Sequence, residues 1–182
     1  VRFFLQMNEG ERALPLLANN LRDFGDNFKE MSEISSLLYI KGYYAQALPY
    51  FAKAVELKPE SFDIIKNYAH CYWRNSQKDS ALLLMNQLYE KHRNNAEVLA
   101  YEAKFMLKTG EKGKAAEYLS KLRQTAGGDA RYYKLSGVMA EMEGNINAAL
   151  PFFEKALQTD PTDLEAAKKL GNYYTQQRQW SK

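Results

Sequence analysis

The sequence is poor in the side chains that most often carry chemistry. In 182 residues it holds one cysteine, Cys71, and two histidines, His70 and His92. A single thiol excludes an internal disulfide and leaves the redox compartment open. Three such side chains also fall short of a His/Cys zinc site unless carboxylates complete it, so no metal site is expected. Cys71 follows His70 directly, and neighbouring residues of a helix point about 100° apart, which prevents the two from acting as a nucleophile and its base. Cys71 therefore reads as a small hydrophobe, and His92, in the run KHR, as a cation near a helix C-terminus. Phosphate-cradling, dinucleotide-binding and zinc-protease motifs are missing as well. No catalytic constellation and no cofactor follow from these residues.

Two further shortages narrow the field. The net charge is only +3, too little for a strongly basic nucleic-acid footprint. No apolar run approaches the roughly 18 residues of a membrane-spanning helix. A soluble chain, cytoplasmic or periplasmic, is the expectation. Because the register starts and stops partway through a unit, a piece of a longer array is the expectation, whose targeting signals and neighbouring domains need not lie within these 182 residues. What the chain does have is rings, 13 Tyr and 9 Phe, within an ordinary balance of 46% apolar and 26% charged residues. These rings need a core.

The organisation of that core is written in a repeated phrase. ALPLL begins at Ala13, ALPYF at Ala47 and ALPFF at Ala149. The intervals are 34 and three times 34, and the intermediate phases fall on Ala81 and Ala115. Four residues beyond each alanine stands Leu17, Phe51, Met85, Leu119 or Phe153; seven beyond stands Asn20, Ala54, Leu88, Leu122 or Ala156. Spacings of four and seven trace one stripe of an α-helix. Pro15, Pro49 and Pro151 are expected in its first turn, where a missing N–H is harmless. Gly25, Pro59, Gly127 and Pro161 close it, with Arg93 the exception. Ahead of it, a second stripe (Ile65, Tyr68, Ala69, Tyr72; Tyr133, Ser136, Gly137, Ala140) predicts another helix. That helix carries a small residue in each unit, Ser35, Ala69, Ala103, Gly137 and Gly171, where a neighbouring helix is expected to cross closely. It ends near Gly42, Gly110 or Gly144, followed by about three residues before the next helix. Each unit is a helical hairpin.

With these columns in register the chain resembles the tetratricopeptide repeat family, whose unit is a 34-residue helix–turn–helix. Unit 130–163 matches through Gly137, Gly144, Ala149, Phe153, Ala156 and Pro161. Unit 28–61 matches through Gly42, Tyr44, Ala47, Phe51, Ala54 and Pro59, and the last unit through Leu170, Gly171 and Tyr174, with Trp180 after the turn. The resemblance implies an all-α, right-handed superhelical solenoid of antiparallel helical hairpins spanning 1–182 as one domain. Its parts are a partial repeat 1–27, repeats 28–61, 62–95, 96–129 and 130–163, and a partial repeat 164–182. Glu102, in a column that is usually apolar, and Leu88 and Leu122, larger than the usual alanine, depart from the pattern.

The family binds in a groove lined by the first helix of each hairpin. Residues of those helices outside the packing stripe form the candidate partner-binding face: Lys66, His70, Trp73 and Arg74; Tyr101, Lys104 and Lys108; Arg131 and Lys134; Lys168, Lys169 and Asn172. Eight of these twelve are Lys or Arg. The expected function is a noncatalytic protein–protein interaction scaffold that takes an acidic or carboxylate-bearing peptide in its concave groove, with Trp73 and Tyr101 as flat anchors. Asp63, Glu97, Glu141 and Glu165 lie nearby and speak for an ordinary solvated face. The lysine-and-asparagine clamp by which some relatives grip chaperone tails is not matched, since only Asn67 or Lys66 fits at a time and Ser32, Ser36, Tyr101 and Leu135 stand at its other places. The alternatives are a structural, self-associating module with exposed terminal helices, and RNA binding by a related repeat design, which the small net charge opposes.

Overall fold

The computed structural model describes residues 1–180, with side chains through Gln176. Among them every regular element is helical, and the contacts divide the chain into two compact units, 1–91 and 92–182.

The first unit opens with short pieces, α1 (Arg2–Gln6), α2 (Gly10–Ala13), a 3-10 turn at Leu14–Leu16 and α3 (Leu17–Phe24). It continues with the full-length helices α4 (Phe28–Ile40), α5 (Tyr44–Leu57), α6 (Phe62–Arg74) and α7 (Lys78–Lys91). The second unit holds α8 (Ala96–Thr109), α9 (Lys112–Thr125), α10 (Ala130–Met142), α11 (Ile146–Thr159) and α12 (Leu164–Trp180). Within each unit consecutive helices pack as hairpins, and the first helices of successive hairpins touch, α4 with α6 and α8 with α10. From Phe28 onward, first helices start at 28, 62, 96, 130 and 164 and second helices at 44, 78, 112 and 146. The 34-residue step holds to the residue.

Local chemistry sets those boundaries. Asn27, Ser61, Asn95 and Asp129 are the N-caps of α4, α6, α8 and α10, and Asp163 occupies the same column before α12. The side chains of Asn27, Asn95, Asp129 and Asp163 each accept from a backbone N–H of the first turn, which satisfies donors the helix cannot. At the other end, Gly42, Gly110 and Gly144 turn the chain with φ of +83°, +83° and +77°. Glycine adopts this left-handed geometry without steric cost. The same column carries Asn8 and Ser76, each at φ 62°, so the turn survives where glycine is absent. Past the glycine only one residue precedes the next helix at Tyr43, Glu111 and Asn145, rather than the three expected.

The cores follow the predicted stripes. In the first unit Ala47, Tyr50, Phe51 and Ala54 of α5 are fully buried with Met31, Ile34 and Leu38 of α4 and with Cys71 of α6. In the second, Ala149, Phe153 and Ala156 pack with Ala140, Ala166, Leu170 and Tyr173, and Leu122 is fully buried in α9. The close helix crossing is real at Gly137, where an added Cβ would lie 2.9 Å from the Phe153 ring. It is not real at Gly171, which is exposed and has nothing within 4 Å. Asn20, the polar member of an otherwise apolar column, accepts from the buried Tyr50 hydroxyl at 3.1 Å and donates to Glu30 at 3.0 Å.

The prolines correct the expectation. Pro49 and Pro151 sit inside α5 and α11, five residues past each start rather than in the first turn. There proline removes one hydrogen bond and costs about 3 kcal/mol. Both helices nonetheless run through, because their buried stripes outweigh that loss. Where the stripe is thin, as around Pro15, with Leu14, Leu16 and Leu17 only partly buried or exposed, the helix breaks into α2, the 3-10 turn and α3. The last helix likewise runs on to Trp180 without the anticipated turn; the Trp180 side chain lies outside the described residues.

Candidate partner-binding face

In the first unit, α4 and α6 expose one side of their hairpins as an open cleft of about 760 Å³. Phe28, Ser32, Glu33, Ser36, Leu37 and Ile40 line it from α4, Ser61, Asp63 and Ile64 from the start of α6, and Arg2 and Gln6 from α1. Spacings of three and four explain why Ser32, Ser36 and Ile40 share this face. Ile40 is 72% exposed, an aliphatic side chain held in water on the wall of this cleft. Arg2 is ion-paired with Glu33, so the cleft brings no large charge of its own.

Next to it stands an aromatic group. Tyr39 of α4, Tyr44 of α5 and His70 of α6 meet edge to face, with centroids 5.9 Å apart for the two tyrosines, 5.5 Å for Tyr39 and His70, and 6.2 Å for Tyr44 and His70. Arg74, one helical turn beyond His70, places its guanidinium 5.0 Å from the Tyr44 centroid. Behind this layer Phe51 stacks on Tyr68, and the Tyr68 and Tyr72 hydroxyls share a hydrogen bond of 2.7 Å. Burial pushes the Cys71 thiol up to about 12, so the sulfur is a protonated, packed group at neutral pH. His70 and Arg74 were legible as face residues from their spacing. Tyr39 was not among the candidates, because its ring comes from a different hairpin and only the fold brings it there.

The remaining predicted cations divide into two kinds. Lys66 binds Asp63 at 2.5 Å, Arg131 binds Asp129 at 2.5 Å, Lys134 binds Asp163 at 2.7 Å and Glu165 at 3.5 Å, and Lys169 binds Glu141 at 2.6 Å. Burial works against the Lys134 charge, yet the hydrogen bonds and negative charges of Asp163 and Glu165 together outweigh it and raise its pKa. Asp163 is lowered in turn, burial being outweighed by bonds from Lys134 and from the backbone of Ala166. Lys104 and Lys108 on α8 and Lys168 on α12 are exposed and make no ion pair among the described residues, and Asn172 is exposed beside Lys168. Trp73 and Tyr101 are half-buried, with the Lys78 ammonium 5.1 Å from the Trp73 ring. Four of the eight predicted cations, Lys66, Arg131, Lys134 and Lys169, are thus paired with carboxylates of the chain itself.

Nothing in this arrangement gathers reacting groups. Among the described residues no set of three or more His, Cys, Asp and Glu converges, and no helix is long and apolar enough to cross a membrane. One group stands apart. Glu102 of α8 is fully buried with both carboxylate oxygens unpartnered, and burial raises its pKa to about 8.

The fold recurs in solved structures. YrrB, a TPR protein with an unusual peptide-binding site, superposes with a TM-score of 0.60 at 22% identity, over 92% of this chain and 88% of that one. MamA from Desulfovibrio magneticus RS-1 gives 0.62 at 17% identity, over 88% and 91%. Yeast Tom70 gives 0.69 at 20%, over 89% of this chain and 35% of its own. At such identities the likeness is one of fold. The family model for the tetratricopeptide repeat adds sequence to it, matching residues 38–100 and 77–138, together more than half of the chain. With capped helices, left-handed turns and buried stripes all returning every 34 residues, the chain belongs to the tetratricopeptide repeat family, whose helical hairpins serve as protein-interaction scaffolds.

Proposed function

We propose that this chain is a noncatalytic scaffold that holds an extended segment of a partner protein against the first-helix face of its hairpins. The observation that carries this reading is the α4/α6 cleft, where a 72% exposed Ile40 stands among Ser32, Ser36 and Ser61. Apolar and hydroxyl groups held on rigid helices suit a ligand that brings one aliphatic anchor and its own backbone polar groups. Preformed hairpins leave most of the ordering cost to the ligand. The candidate cations in ion pairs contribute orientation more than attraction, since breaking them to bind costs what the new contact returns.

Panning a random twelve-residue peptide library on the whole chain tests the proposal. Selected peptides are expected to lose at least tenfold in affinity when Ser36→Arg and Ile40→Asp are combined, with the far-ultraviolet spectrum unchanged. Selection of no peptides, or binding indifferent to this pair, overturns it.

A second reading, self-association, rests on Phe3, Met7 and Phe24, which are 65%, 58% and 50% exposed in the short helices and the turn that open the first unit. Burying such apolar side chains in a second copy is favourable. Sedimentation at increasing concentration decides it; a monomer throughout removes the reading.

A further inference from the structure

We infer that Arg74, with Tyr39 and His70, forms an anchor for a carboxylate side chain, so that the segment bound in the α4/α6 cleft carries Asp or Glu beside its aliphatic residue. The inference rests on the proposed groove binding and adds the chemistry of the ligand to it.

Four features of the geometry support it. Arg74 is exposed, and none of its donors meets a protein acceptor among the described residues. Its guanidinium carbon lies 5.0 Å from the Tyr44 ring centroid, a cation–π contact that uses none of its N–H donors, and such a fork takes a carboxylate through two parallel hydrogen bonds. Tyr39 of the neighbouring hairpin packs its ring against Tyr44 and His70 and carries a hydroxyl. Burial raises its pKa above 10.0, so it keeps its proton and can donate. His70 stands edge-on to both tyrosines one turn before Arg74, and fixes where those rings sit.

Charge complementarity selects the ligand. Lys66, the other cation of this α6 face, is satisfied by Asp63 at 2.5 Å, whereas Arg74 has no carboxylate partner in the described residues. An acidic group from outside meets no competing anion on that guanidinium. The aliphatic contact comes from Ile40, which is 72% exposed and lines the α4/α6 cleft. A lone small anion would leave this surface uncovered. A peptide with an acidic and an aliphatic residue two or three positions apart uses both.

The experiment pans the random twelve-residue library on the wild-type chain and repeats it on Arg74→Gln, with Arg74→Lys as the variant that keeps charge but loses the fork. Wild-type selections are expected to be enriched in Asp or Glu two or three residues from Leu, Ile or Val. Individual peptides should weaken at least tenfold on Arg74→Gln and by a smaller factor on Arg74→Lys, and replacing the acidic residue of the peptide by its amide should abolish the difference between variants. Because Arg74 is exposed, thermal melts of the variants should match the wild type. Absence of acidic enrichment, or equal affinity for wild type and Arg74→Gln, overturns the anchor. If the same peptides still respond to Ser36→Arg with Ile40→Asp, the groove reading stands while the anchor falls; if they respond to neither, both fall.

Discussion

The two units share one repeat frame but fill it differently. The first, residues 1–91, is electrically balanced, with eleven cationic and eleven acidic side chains, and its middle is aromatic, from Tyr39 and Tyr44 through Phe51 to Tyr68 and Tyr72. The second, residues 92–182, has fourteen cations against eleven acids and a more aliphatic interior into which Glu102 intrudes. The comparison teaches that caps, turns and a few small residues fix where helices start, stop and cross. The rest of each stripe needs only volume and apolarity, so each hairpin is free to vary what it presents.

Truncating the ring that occupies the same column in both units gives the largest expected effect. Phe51→Ala and Phe153→Ala should each cost about 3–5 kcal/mol, read from chemical denaturation. Hydrogen exchange distinguishes them: Phe51→Ala should loosen amides of 28–91 first and Phe153→Ala those of 130–176, because contacts in a repeat protein are to nearest neighbours. Uniform loss of protection in both variants would show one cooperative block instead.

Overpacking comes next. Ala149→Leu, at a fully buried position, should cost roughly 1–3 kcal/mol, and Gly137→Val a similar amount through the Phe153 ring. An unchanged melting temperature in either would contradict the helix crossing.

Glu102 supplies a difference in pH response. Unfolded, its carboxyl ionises near 4.5, whereas burial holds the folded group neutral to about 8. The folded pKa is the higher one, so the stability of the neutral form is fully present below pH 4.5 and is lost progressively as pH rises to about 8. Glu102→Leu should remove that slope and raise stability at pH 8 by roughly 1–3 kcal/mol. Melts of the two proteins that stay parallel from pH 5 to 8 would refute it.

The smallest effect concerns the turns. Ser76→Gly should stabilise by about 1 kcal/mol, since a serine at φ 62° sits where L side chains are strained. Gly110→Ala, at φ +83° with open space around it, should cost a similar amount. If Ser76→Gly destabilises, the serine side chain contributes something its backbone does not reveal.

The fold was legible because its signals are local and periodic. Alanine, aromatic and turn-glycine columns reveal a 34-residue hairpin from spacing alone. The cap column at Asn27, Ser61, Asn95, Asp129 and Asp163 was equally readable, and the same register would have found it. Pro49 and Pro151 misled because a buried stripe overrode the local preference for a first-turn proline. The site was less legible. Periodicity placed His70 and Arg74 on a face, but Tyr39 and Tyr44 come from two other helices and no sequence period links them. Nor does spacing show that Asp129, Asp163 and Glu141 take up Arg131, Lys134 and Lys169.

The recurrence of a left-handed residue at Asn8, Gly42, Ser76, Gly110 and Gly144 has an evolutionary corollary. Each module encodes its own reversal of direction in its own backbone, without relying on a distant segment to fold it back. Copying or deleting a whole module in the gene therefore leaves the others' reversals intact, so the length of such a protein is free to drift in steps of one module.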